Sequence, residues 1–187
     1  MFRSTCHLIK SVIYLARITS ALIEVELERI EQIGAEHLMD LSGMRVRKYN
    51  RTVSVLDGTY SILKDLDDSF EVTLTVARSA LGNNQFNEYP FKVPRKKGCQ
   101  IIRDEYAEYQ HLWLNYTNLP QVVKGEEPFC PLPKGSYYLK NFPSDPSWVP
   151  PVVPDGYWRM TWEVYSTVSG ELQGQVRLFL RIKKELL

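Results

Sequence analysis

Apolar and polar residues alternate with a period of two along most of this chain. Over residues 23–28, Ile23, Val25 and Leu27 fall on one face and Glu24, Glu26 and Glu28 on the other. The same rhythm sets Phe70, Val72, Leu74 and Val76 against Glu71, Thr73, Thr75 and Ala77. It sets Trp158, Met160, Trp162 and Val164 against Arg159, Thr161, Glu163 and Tyr165, and Val176, Leu178, Leu180 and Ile182 against Arg177, Phe179, Arg181 and Lys183. Shorter alternating pieces surround Met44 and Val46, Val53 and Val55, and Tyr137 and Leu139. Side chains two apart on a strand point the same way, so each piece predicts a strand with one face to bury. Asp57-Gly58, Gly82-Asn83-Asn84, Lys134-Gly135, Asp155-Gly156 and Ser169-Gly170 supply turns between them. Seven or more short strands punctuated in this way predict an all-β fold, an immunoglobulin-like antiparallel β-sandwich.

One stretch breaks the rhythm. Over residues 100–117, Ile102, Tyr106, Tyr109, Trp113 and Tyr116 recur at spacings of four, three, four and three, which predicts one short helix. Asp104 and Glu105 lie near its N-terminal end, where the helix dipole favours acids. Residues 141–154 hold five prolines and predict an extended surface connection.

The chain has 187 residues, 44% of them hydrophobic and 24% charged, values ordinary for one soluble domain with a real core. The formal net charge is +1 and no basic run exceeds Arg95-Lys96-Lys97, so nothing marks a nucleic-acid binder. The N-terminus places Arg3 ahead of an apolar stretch and ends in Thr19-Ser20-Ala21, the layout of a signal peptide over residues 1–21. Lys10 and Arg17 interrupt that stretch, and a helical extension or a different start codon is the other reading. Cleavage after Ala21 would remove Arg3, Lys10 and Arg17 and no acid, turning the net charge to −2. It would leave a single domain over residues 22–187, with no stretch apolar enough to span a membrane.

Cleavage would also remove Cys6 and leave Cys99 and Cys130, an even pair flanking the helix. A disulfide between them implies an oxidising, extracellular setting; two free thiols are the other reading. Two isolated cysteines do not supply zinc-ligand spacing, so no metal or other cofactor is expected. Asn50-Arg51-Thr52 and Asn115-Tyr116-Thr117 are glycosylation sequons, making Asn50 and Asn115 candidate glycan carriers. His7, His37 and His111 have no evident nucleophile partner, and no nucleophile elbow or phosphate-binding glycine loop occurs, so no enzyme is expected. Asp65, Asp67 and Asp68 read as a solvated turn.

Cys99, the helix, Cys130-Pro131 followed by Lys134-Gly135 and Tyr137-Tyr138, Asn141-Phe142 and Pro154-Asp155-Gly156-Tyr157-Trp158 occur in a familiar order, preceded by Tyr49-Asn50-Arg51-Thr52. Over roughly residues 40–183 the chain resembles an insect secreted family of unknown function that includes the CheB-type chemosensory proteins. That family is distantly similar to the ganglioside-activator and ML-type lipid-recognition fold. The resemblance implies a sandwich whose sheets enclose an apolar cavity, open at one end, for a lipid or other hydrophobic molecule.

Phe70, Val72, Leu74, Trp158, Met160, Trp162, Leu178 and Leu180 share the inward faces and are the candidate cavity lining. A filled core uses such residues too, though two tryptophans on one strand face are bulky for tight packing, and methionine adapts to varied shapes. The expected function is a secreted, non-enzymatic carrier of a small hydrophobic ligand, lipid- or pheromone-like, with a receptor or membrane surface as a further partner. The alternative is an extracellular protein–protein adaptor or receptor co-factor with a filled core.

Overall fold

The computed structural model describes residues 21–51 and 53–186. The expected signal peptide thus lies outside the described residues, save Ala21, which opens the first strand. Among the described residues, nine strands form two antiparallel sheets, an all-β sandwich with a short helical segment.

The larger sheet has the order β1-β9-β8-β5-β6. Its strands are β1 (Ala21–Gly34), β5 (Phe70–Ser79), β6 (Asn87–Lys97), β8 (Gly156–Ser166) and β9 (Leu172–Leu186). In the smaller sheet, β4 (Ser54–Ile62) is central: β2 (Met39–Asp40) and β3 (Met44–Lys48) share one of its edges and β7 (Gly135–Pro143) takes the other.

Register explains which residues turn inward. Leu74 lies opposite Trp162, Val76 opposite Met160, Met160 opposite Leu178 and Trp158 opposite Leu180, so the even-numbered apolar residues of β5, β8 and β9 form one face. Leu178 and Leu180 pack with Leu27, Met44 and Leu56, the last two from the smaller sheet, which fixes that face as the interior. At one end of the sandwich Phe70 and Val164 pack with Ala35 and Leu38; at the other Val76, Trp158 and Ile182 pack together.

Alternation did not foretell β6, whose Pro90 and Pro94 break any strand pattern. Proline lacks the N–H a central strand needs, and β6 is an edge, where prolines and lysines also deter pairing with another chain. The proline-rich residues 141–154 are not a free surface connection. They begin as the end of β7, and Val149 and Val153 pack on the Trp158 cluster while the Pro154 carbonyl accepts the Trp158 indole N–H at 3.2 Å.

The helix is also less regular than its spacing suggests. Gly98–Ile101 is α-helical, Ile102–Tyr106 forms a π turn, Ala107–Tyr109 is α-helical again, and two 3₁₀ turns follow at Gln110–Leu112 and Leu114–Tyr116. A π turn inserts extra residues per turn, so positions beyond it rotate off the face that regular spacing assigns. Ile102 remains buried while Tyr109 is 43% exposed.

Candidate functional site

The helical segment follows β6, the edge of the larger sheet, and hands on to β7, the edge of the smaller one. Lys96 on β6 binds Asp104 at 3.0 Å and Glu105 at 2.7 Å. Beyond the last turn, Thr117 Oγ1 donates to the Tyr138 carbonyl at 2.7 Å, and Asn118 Oδ1 accepts the Tyr138 N–H at 2.9 Å. The segment therefore walls the flank between these two edges and satisfies the backbone of β7 that would otherwise be open.

Three features hold this wall. Cys99 and Cys130 form the expected disulfide, with Cα atoms 5.5 Å apart and a sequence separation of 31. Closing a loop of that size stabilises by about 3–4 kcal/mol in the chain-entropy model. The acidic turn does more than face solvent. Asp68 Oδ1 accepts the Cys99 N–H at 3.0 Å and Asp65 Oδ1 accepts the Lys134 N–H at 2.7 Å, so its carboxylates tie down the start of the closed loop and the lead into β7 just past its end. Gly98 sits so close to this turn that a Cβ there would lie 2.5 Å from the Asp67 carbonyl oxygen. These contacts join residues more than thirty apart, and no local pattern announces them.

Inside the wall is a tyrosine-rich patch. Tyr60 and Tyr137 are register partners with ring centroids 5.7 Å apart. Tyr106 packs edge-on against Trp113 at 5.3 Å and Phe129 at 5.4 Å, and its hydroxyl donates to the Pro120 carbonyl at 2.6 Å. Burial, reinforced by Tyr106, pushes the Tyr60 hydroxyl well above the ordinary tyrosine range; burial raises Tyr106 as well. These hydroxyls stay neutral at any physiological pH, which suits an apolar neighbour.

The eight candidate cavity residues all lie on the larger sheet's inner face, but their burial differs along it. Phe70 (5% exposed), Val164 (6%), Val76 (9%) and Trp158 (3%) seal the two ends. Val72, Leu74, Met160, Trp162, Leu178 and Leu180 keep part of their surface accessible, although Val72, Met160 and Leu180 lie directly opposite the buried Val164, Val76 and Trp158. Leu74 and Trp162 are cross-strand partners at the centre. On the opposite flank, β1 and β3 border a cleft of about 320 Å³ lined by Glu26, Leu27, Glu28, Val46, Arg47, Lys48 and Ser54. Its apolar residues, Leu27 and Val46, belong to the cluster that holds Leu178 and Leu180. Its rim is charged: Lys48 binds Glu26 at 2.5 Å, which holds that carboxyl below its usual range, and Arg47 binds Asp57 at 3.2 Å.

Asn50 and Asn115 are both exposed. Asn50 lies in the β3–β4 turn, its Oδ1 accepting the Val53 N–H at 2.8 Å, and Asn115 sits in the last 3₁₀ turn. Among the described residues no three His, Cys, Asp or Glu cluster as metal ligands, and no helix is long and apolar enough to cross a membrane.

Residues 72–160 match the family model of a protein of unknown function, DUF1091. The DUF1091 match runs from β5 into β8 and so takes in β6, the whole disulfide-closed loop and β7. It covers Val72, Leu74, Trp158 and Met160 of the candidate lining, both bonded cysteines and Asn115. The chain matches no curated protein.

Proposed function

We propose that the protein is a secreted, non-enzymatic carrier of a small hydrophobic ligand, lipid- or pheromone-like and of the ML type, in a chemosensory setting. The observation that carries this reading is local. The β1–β9 side of the larger sheet's inner face is closed by Leu27, Met44 and Leu56. On the β5–β8 side the cross-strand partners Leu74 and Trp162 keep part of their surface accessible between buried neighbours, Phe70 and Val164 on one side and Val76 and Trp158 on the other. A ligand chain placed there gains roughly 0.8 kcal/mol per methylene withdrawn from water. The β1–β3 cleft, with an apolar floor and a charged rim, suits the mouth, where a few polar groups orient a head group. The disulfide and the exposed sequon asparagines, Asn50 and Asn115, support secretion.

Native mass spectrometry of the glycosylated, secreted chain, with displacement of a fluorescent fatty acid, tests the proposal. Bound ligand is expected, with affinity reduced at least tenfold by Leu74→Arg and unchanged by Arg45→Gln on the exposed side of β3. An empty protein that displaces nothing overturns it. The alternative adaptor role draws on Leu81 and Val152, each 83% exposed, in the loops that leave β5 and precede β8. It becomes the better account if ligand binding is absent and Leu81→Ser abolishes capture of a receptor.

A further inference from the structure

The outer face of the larger sheet carries a second feature, unrelated to the interior. Phe179 on β9 points outward, yet is only 5% exposed. Arg29 on β1 and Arg159 on β8 lie opposite it on either side. The Arg29 guanidinium sits 3.5 Å from the Phe179 ring centroid, and Phe86, from the loop after β5, packs edge-on against that ring at 5.9 Å. Arg159 lies over Phe86 at 4.8 Å. Arg177 and Arg181 flank Phe179 along β9, so both are diagonal neighbours of Arg159, about 7–8 Å away between backbones.

The charges in this cluster are not balanced from within. Glu31, the cross-strand partner of Arg177, is the carboxylate that faces the cluster from β1, and it is bonded to Arg29 at 2.7 Å. Arg181 lies over the Tyr157 ring at 4.9 Å. Arg177 donates from Nε and Nη2 to Gln175 Oε1, at 3.1 and 2.6 Å, and Gln175 is neutral. Glu163, the next carboxylate along β8, is occupied by Gln175 at 2.6 Å and by the Tyr165 hydroxyl at 2.9 Å. Arg159 has no ion pair or hydrogen-bond acceptor among the described residues, and its Nε is fully buried without a partner. Burial first, and then the nearby Arg177 charge, pull Arg159 below the usual arginine range, outweighing the opposing pull of Glu31.

We propose that Arg159 and Arg177 together bind a doubly charged oxyanion, a phosphate or sulfate group, on the outer face of the larger sheet beside the Phe86–Phe179 pair. A dianion compensates both cations at once, which one carboxylate does not. Guanidinium is planar, with paired N–H groups whose spacing matches two oxygens of a tetrahedral anion. The rigid ladder fixes the backbone of both arginines, and the Phe86 ring and Gln175 hold their side chains in place before the anion arrives. The anion is carried either by a free ion or by a phosphate or sulfate monoester whose remainder lies across the aromatic pair.

Isothermal titration calorimetry of the full secreted chain with inorganic phosphate, inorganic sulfate and phenyl phosphate tests the site, against chloride at matched ionic strength. Saturable binding of one anion per chain is expected, weakened at least tenfold by Arg159→Gln and by Arg177→Gln and unaffected by Arg45→Gln on the other sheet. Should Arg159→Gln not fold, Arg159→Lys keeps the charge but loses the fork, and at least a threefold loss is expected. Phenyl phosphate binding more tightly than phosphate supports the monoester as source, and equal binding supports the free ion. Heat no greater than that of chloride, or affinity unchanged in both Arg159 and Arg177 variants, overturns the proposal.

Discussion

The two faces of the larger sheet each mix dry and wet positions, against their chemistry. The inner face is mostly apolar, yet it keeps Leu74, Trp162 and Met160 partly accessible. The outer face alternates arginine, glutamate and aromatic residues, yet it buries Phe179, Thr161, Ala77 and Ser79. The cause is side-chain length rather than hydrophobicity. On the outside, the Arg29 and Arg159 guanidiniums themselves lie over the Phe179 and Phe86 rings and cover them. On the inside, the smaller sheet sets three strands across its width against five and cannot cover the whole face; the disulfide-bonded helical segment walls the remaining flank. The lesson is that a position's face predicts the chemistry of its neighbours but not its burial.

Truncating the two inward tryptophans of β8 tests the contrast most severely. Trp158→Ala, at a sealed end, should cost about 3–5 kcal/mol in urea unfolding. Trp162→Ala, at the accessible centre, should cost about 1–2 kcal/mol, because less transfer energy is lost and no sealed void is left. Equal costs would mean that the centre is as tightly packed as the ends.

Replacing both cysteines by serine comes next, with an expected loss of about 3–4 kcal/mol. If the wall serves the interior, hydrogen exchange should quicken in the helical segment and β7 before it does in β8 and β9, and retention of a bound ligand should fall before the sheets melt. Simultaneous loss everywhere would make the bond a global staple only.

On the outer face, Phe179→Ala should cost about 2–3 kcal/mol, more than an exposed position warrants, because it removes the ring under Arg29 and beside Phe86. A loss below about 0.5 kcal/mol, the usual scale for surface substitutions, would deny that this face is packed at all.

The smallest effect is one of pH. The Tyr60 hydroxyl titrates above its unfolded value because the folded environment disfavours the anion. Above about pH 10 the unfolded chain therefore holds fewer protons than the folded one, and stability falls as pH rises; below pH 10 this contribution is constant. Tyr60→Phe should flatten the alkaline limb of a stability–pH curve, and an unchanged limb would place Tyr60 in water.

Much of the sandwich was readable from alternation, since a strand with one buried face must write that face into every second residue. The runs at residues 70–76, 158–165 and 176–183 became β5, β8 and β9, with the expected residues inward. What alternation missed follows from its assumptions. An edge strand such as β6 has no obligation to alternate or to avoid proline. The proline-rich stretch hid Val149 and Val153, whose packing partners on β5, β8 and β9 are set by topology. The helical spacing of 102–116 was real, but the π turn after Ile101 changed which aromatic residues turn inward.

By itself, the sequence determined the period, and with it the all-β class, the inward apolar set and the pairable cysteines at the ends of a helical interruption. Folding settled which inward residues are sealed, that Asp65 and Asp68 tie the acidic turn to Lys134 and Cys99, and that Arg159 and Arg177 stand together while the facing Glu31 is bonded to Arg29. The physical reason is range. Periodicity is enforced by neighbours two or four residues apart, whereas sealing, clamping and charge balance depend on strands that meet only when the sheets close.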